Sequence, residues 1–181
     1  MNLANKITLF RVLLIPIFMI VLFSDFTYNT YIAALIFAIA SATDGLDGYI
    51  ARSRNQVTTF GKFIDPLADK LLVSAALISM VQLGKVSAWI VVVIIAREFT
   101  ITGFRIIAAS EGITIAASSL GKIKTITQLV AIISLLINNY PFELVNFPFD
   151  TIMIYASLIF TVISGIDYIF KNRQVLKIDQ K

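Results

Sequence analysis

The chain has no cysteine and no histidine in 181 residues. Without cysteine there is no disulfide framework and no thiolate metal site. Without histidine there is no Ser-His-Asp triad, no phosphohistidine intermediate and none of the usual zinc sites. Any metal must therefore be held by oxygen, which restricts it to Mg2+, Mn2+ or Ca2+. Charge is also scarce: Asp, Glu, Lys and Arg make up 14% of the chain, against 58% hydrophobic residues and a mean hydropathy of +0.87. A soluble domain of this size would not carry that much apolar surface, so the expected class is an all-α, polytopic membrane protein.

Six apolar stretches are long enough to span a bilayer, at about 6–24, 29–50, 60–82, 87–109, 119–138 and 148–170. Breaks fall at Ser24-Asp25, Arg52 to Gln56, Gly84-Lys85, Glu111-Gly112 and Asn138 to Pro148. No connection is long enough for a soluble domain and no internal repeat is visible, so residues 1–181 read as one helical membrane domain. The first run resembles a signal peptide, but Leu22-Phe23-Ser24 offers no small-x-small cleavage site and Arg11 interrupts it, so a retained span is expected. With six spans, 14 of the 15 Lys and Arg fall on the side shared by both termini, leaving only Lys85 opposite. The positive-inside rule then predicts both termini in the cytoplasm of a multi-pass plasma-membrane protein. The basic C-terminus (Lys171, Arg173, Lys177, Lys181) suits topology and anionic headgroups. Phe23, Phe26, Tyr28, Tyr140 and Phe142 suit an outer aromatic belt. Membrane lipid is an expected partner, and nothing points to nucleic acid.

Against this apolar background, four aspartates crowd the 26 residues from Asp44 to Asp69. Asp44 and Asp47 are three apart, Asp65 and Asp69 four apart, so each pair shares one face of a helix. The pairs would meet where the second span reaches, and the third leaves, the cytoplasmic side. Gly45, Gly48 and Gly61 would let a bulky polar ligand approach the backbone. Pro66 suits the opening turn of the third span. Carboxylates persist near lipid when they pair, bind ions or do chemistry. Three readings follow: a divalent-cation site, a salt-bridge network with Arg52, Lys62 and Lys70, or the ion pathway of a cation transporter.

The same segment resembles the signature of the CDP-alcohol phosphotransferase family, D-x2-D-G-x2-A-R-x8-G-x3-D-x3-D. It is met at Asp44, Asp47, Gly48, Ala51, Arg52, Gly61, Asp65 and Asp69, with every spacing kept. The resemblance implies that an alcohol hydroxyl attacks a phosphorus of a CDP-linked donor and that CMP leaves. It also implies two divalent cations, Mg2+ or Mn2+, on Asp44, Asp47, Asp65 and Asp69. Asp69 would serve as general base as well, and Gly48, Ala51 and Arg52 would line the nucleotide. Asn5, Thr8 and Arg11, spaced by three, would join them at the donor; from spacing alone they are equally an interfacial turn. A homodimer is the family expectation.

Arg97 lies deep in a very apolar run (WIVVVIIAREF), where an unpartnered charge would cost several kcal/mol. Glu98, next in sequence, points to another face and is not an automatic partner. Arg97 therefore either pairs with an aspartate across helices or belongs to an anion pocket with Arg105, eight residues on, and Lys122 or Lys124. Such a pocket would suit an acceptor bearing a phosphate. AREFTITGFRIIAAS and GKIKT (Gly121–Thr125) resemble the branch of the family that transfers phosphatidyl from CDP-diacylglycerol to glycerol 3-phosphate. Inositol phosphate and serine remain alternative acceptors; an inositol phosphate would suit the basic residues too, so they do not decide by themselves.

Overall fold

The computed structural model describes residues 3–53, 59–110, 112, 113, 115 and 118–173; residues 3–6, 44–53 and 59–66 are described by backbone alone. Six α-helices account for most of it: α1 (Leu3–Leu22), α2 (Asn29–Ser53), α3 (Thr59–Gln82), α4 (Ala88–Ser110), α5 (Ser119–Leu136) and α6 (Phe149–Lys171). A short 3-10 turn, Phe142–Val145, lies between α5 and α6, and no strand occurs among the described residues. The helices coincide with the six expected spans to within a few residues. Two of them, α5 and α6, are long and apolar enough throughout to cross a membrane by length and composition. In α4 the apolar run is interrupted by Arg97, Glu98 and Arg105.

Each helix turns one narrow face inward. Buried positions recur at three and four: Thr8, Arg11, Phe18 and Leu22 on α1, Ala33, Phe37 and Ala40 on α2, Ala68, Leu72, Ala76 and Met80 on α3. On α6 the series Ile154, Ser157, Thr161, Ser164, Tyr168 keeps the same rhythm. This is the helical period of an amphipathic stripe, but the opposite faces are also apolar. Leu13, Ile20, Leu35, Val92, Ile126 and Phe170 are all exposed, as expected of helices whose outer surface meets lipid rather than water.

α1 packs on α2 and α3, α5 on α6 and α2, and α4 on α3 and α6. Small residues let these helices approach closely. At Gly165 of α6 a Cβ would lie 3.1 Å from the Cγ of Arg97, so a side chain at this α4–α6 crossing would have to push the arginine aside.

Three helices end in the same way. Behind α3, Gly84 takes φ +71°, with Lys85 N–H on Met80 O (2.9 Å) and Gly84 N–H on Val81 O (2.9 Å). Gly112 (φ +73°) does this behind α4, and Asn138 (φ 54°) behind α5. These are Schellman turns, which satisfy the last orphan carbonyls and need a left-handed residue. One expectation fails. Pro66 lies inside α3, which begins seven residues earlier at Thr59, rather than in its opening turn. The helix runs on upstream of it through Phe60, Phe63 and Ile64. A spanning helix tolerates the lost N–H when neighbouring groups satisfy the freed carbonyl.

Candidate active site

Glu98 sits at the centre of a buried charge cluster drawn from three helices. Its Oε2 accepts from Lys70 Nζ of α3 at 3.0 Å, and its Oε1 from Arg97 Nη1 at 3.0 Å and from Lys124 Nζ of α5. Arg97 also donates through Nη2 to Ser164 Oγ of α6 at 2.9 Å, while its Nε finds no protein acceptor. Two statements from sequence are thereby corrected. Arg97 pairs with its neighbour Glu98, not with an aspartate, because both side chains are long enough to curl toward each other from adjacent positions. Lys70, expected to face the aspartates in the salt-bridge reading, reaches Glu98 instead. Removing the carboxylate would leave three cations in a largely apolar interior, a cost of several kcal/mol.

Two cavities adjoin this cluster, and both are lined by Lys70, Glu98 and Thr125. The larger, of about 470 Å³, is walled by Arg97, Thr102 and Arg105 of α4, by Ser118, Gly121 and Lys122 at the start of α5, and by Tyr168 of α6. Arg97, Arg105 and Lys122 thus meet as the sequence suggested. Among the described residues neither Arg105 nor Lys122 has an ion-pair partner. The α5 N-terminus points at the same space. Ser118 caps it, accepting the Gly121 N–H at 3.1 Å, and the remaining free N–H groups of the first turn favour an anion. The Tyr168 hydroxyl is buried without a partner, its ring held edge-on to Phe104 with centroids 6.0 Å apart.

Lys124 does not line the larger cavity. Two residues from Lys122, it projects about 200° away around the helix and is buried on the other side of Glu98. There it borders the smaller cavity, of about 60 Å³, with Asp69 and Gln128. Both amide atoms of the buried Gln128 side chain lack a protein partner.

On the other flank, Thr8 and Arg11 are fully buried on the inner face of α1. Arg11 Nε donates to Thr43 Oγ1 at 3.3 Å, and Thr43 donates in turn to Ala40 O at 2.6 Å. Thr43 immediately precedes Asp44, so this arginine is directed at the start of the aspartate segment. Of the four aspartates, only the side chain of Asp69 is described, half-buried against the smaller cavity. Asp44, Asp47, Gly48, Ala51, Arg52, Asp65 and Asn5 lie outside the residues whose side chains are described.

A family model for CDP-alcohol phosphatidyltransferases matches residues 1–163. The chain belongs to this family. Among its relatives, the CDP-diacylglycerol–glycerol-3-phosphate 3-phosphatidyltransferase of Bacillus subtilis is 52% identical, with 97% of each chain covered. A protein of the same description from Escherichia coli is 43% identical over 75% of this chain and 76% of its own. A probable phosphatidylglycerophosphate synthase of Mycobacterium tuberculosis is 38% identical over 93% and 80%.

In this CDP-alcohol phosphatidyltransferase, Asp44 and Asp47 lie on the last turns of α2 and Asp65 and Asp69 on α3, helices in contact with each other. Among the described residues no three acidic side chains converge, three of the four aspartates falling outside them. The donor set nevertheless fits a hard divalent cation. It is all carboxylate, and Asp69 borders a polar cavity rather than lipid.

Sequence reasoning missed Glu98 as the hub, along with Ser164, Tyr168 and Gln128. For Glu98 a signal was present: an acid inside an apolar helix needs cations within reach, and Lys70 and Lys124 fall on helices able to supply them. Ser164 and Tyr168 carried no such signal, since either residue is ordinary on a buried helix face.

Proposed function

We propose that this chain is a six-span integral membrane enzyme of the plasma membrane. It transfers the phosphatidyl group from CDP-diacylglycerol to glycerol 3-phosphate, giving phosphatidylglycerophosphate and CMP. The observation that carries this reading is the larger cavity. It offers a phosphate a helix N-terminus and two cations, Arg105 and Lys122, with no ion-pair partner among the described residues, and it adjoins a smaller cavity bordered by Asp69. An acceptor with a phosphate at one end and a hydroxyl at the other fits that polarity. The names carried by the relatives fit it as well.

Arg105, Lys122 and Arg97 bind the acceptor phosphate. Asp69 takes the proton from the acceptor hydroxyl. The freed oxygen attacks the phosphorus bearing the diacylglycerol, and the bond from that phosphorus to the bridging oxygen of CMP breaks. Thr8, Arg11 and Asn5, with Gly48, Ala51 and Arg52, hold the nucleotide end of the donor. Asp44, Asp47, Asp65 and Asp69 would hold two divalent cations, Mg2+ or Mn2+, which when bound neutralise the pyrophosphate toward an oxygen nucleophile. Both termini and the site face the cytoplasm, the acyl chains lie between helices in the bilayer, residues 1–181 form one domain, and two copies associate.

The test is CMP release by detergent-purified protein given CDP-diacylglycerol and Mg2+, with each acceptor in turn. Release that requires both metal and glycerol 3-phosphate is expected. Release only with inositol phosphate or serine would move the protein to another branch. No release with any alcohol, in folded protein, would overturn the reading.

A further inference from the structure

Glu98 stands between the two adjoining cavities and lines both of them. Among the described residues the larger is lined by four cations (Lys70, Arg97, Arg105, Lys122) and one carboxylate, Glu98. Among the described residues the smaller is lined by two cations (Lys70, Lys124) and two carboxylates (Asp69, Glu98). Without the Glu98 charge, Lys70 and Lys124 are released from their ion pairs beside Asp69. A dianion would then be drawn to the place where a hydroxyl is needed.

Resting on the reading of the chain as a transferase to a phosphate-bearing alcohol, we infer that Glu98 is a positioning residue that orients the acceptor. By claiming Lys70 and Lys124, it reserves the phosphate for Arg105 and Lys122 and leaves the Asp69 side to the hydroxyl. The ion pairs are built for this. Lys124 is 3% exposed and spends its ammonium on Glu98, and Lys70 approaches the other carboxylate oxygen at 3.0 Å. Each ammonium thus has much of its charge countered by Glu98 and is a weaker partner for an anion. Glu98 is thus an internal competitor for cations, and a competitor's removal tightens anion binding while spoiling its geometry. That signature separates it from a structural staple, whose loss weakens everything together.

The experiment compares wild type, Glu98→Asp and Glu98→Gln for steady-state kinetics, and for inorganic phosphate binding by calorimetry. In Glu98→Gln, phosphate is expected to bind about three- to tenfold more tightly. The acceptor KM should fall with kcat, while the donor KM stays within about twofold, since the charge change lies on the acceptor side. Glu98→Asp, which keeps the charge but retracts it by a methylene, falls between. Phosphate binding unchanged or weakened, or donor and acceptor KM rising together, would overturn the assignment. Should the glutamine variant not fold, Glu98→Asp alone must still bind phosphate more tightly than wild type, and equal or weaker binding would reject the idea. Failure of wild type to use glycerol 3-phosphate would instead count against the proposed reaction, and the phosphate comparison needs no turnover.

Discussion

At the scale of single residues, Arg105 is the sharpest probe of the acceptor pocket. It lines the larger cavity without an ion-pair partner among the described residues, so its truncation strands no other buried charge, as removing Arg97 or Lys124 would. Arg105→Ala is expected to raise the acceptor KM about 10- to 100-fold, the worth of a charge-assisted hydrogen bond. The donor KM should change little. Steady-state kinetics with each substrate varied in turn checks this, and an unmoved acceptor KM would remove Arg105 from the pocket. Much of this site was legible beforehand. Arg97, Arg105 and Lys122 stand out because charge in an apolar helix demands a reason, and the structure gathers them around one cavity. What could not be read was how those charges divide. Whether Glu98 meets Arg97, Lys70 or Lys124 depends on helix rotation and side-chain reach. Sequence spacing constrains these only within one helix, which is why Lys124 fell in the wrong cavity.

Elements were easier to read than contacts between them. Breaks at Gly84, Gly112 and Asn138 were visible because a left-handed residue closes a Schellman turn, and apolar runs set the helix lengths. The packing of α5 on α6, with Ser157, Thr161 and Ser164 buried on α6, gave no comparable signal, since small polar residues occur on any face. One contact between elements stands outside the spans. Lys85, in the turn between α3 and α4, donates to Leu135 O at 2.6 Å and to Asn138 Oδ1 at 2.5 Å, tying that turn to the C-terminal end of α5. Lys85→Met leaves both acceptors unmade and is expected to cost about 1–2 kcal/mol. In a thermal melt in detergent this reads as a loss of roughly 3–6 °C, with both KM values unchanged. Burial holds the Lys85 ammonium below its usual 10.5, and the Asp150 carboxylate opposes this. The unfolded chain therefore binds this proton more tightly than the folded one. Wild-type stability should rise relative to Lys85→Met as pH climbs from the lowered value toward 10.5, and run parallel to it at neutral pH.

For the whole molecule, the distribution of charge argues for one orientation. The larger cavity with Arg105 and Lys122 opens among helix ends on the side that also carries the aspartate pairs, and the sequence pattern assigns 14 of the 15 basic residues to that half. Lys85, Glu143 and Asp150 lie at the other. The outer surfaces of the helices are apolar at both ends of the bundle, so burial alone does not say which way it faces; the proposed orientation rests on the positive-inside rule. The absence of cysteine turns this into a clean measurement, because a single introduced thiol is the only one in the protein. Val145, 71% exposed in the turn between α5 and α6, and Arg173, exposed just beyond α6, stand at opposite ends of the last span. In intact cells a membrane-impermeant maleimide should label Val145→Cys at once. Arg173→Cys should react only after the membrane is permeabilised. The reverse pattern would put the acceptor pocket on the outer face, where the cell offers neither CDP-diacylglycerol headgroups nor phosphorylated acceptors made in the cytoplasm, and would count against the proposed reaction. Labelling of both without permeabilisation would mean that α6 does not cross. The α5–α6 pair would then have to be covered by something other than lipid, against the long apolar face that Ile152, Tyr155, Ile159, Ile166 and Phe170 present.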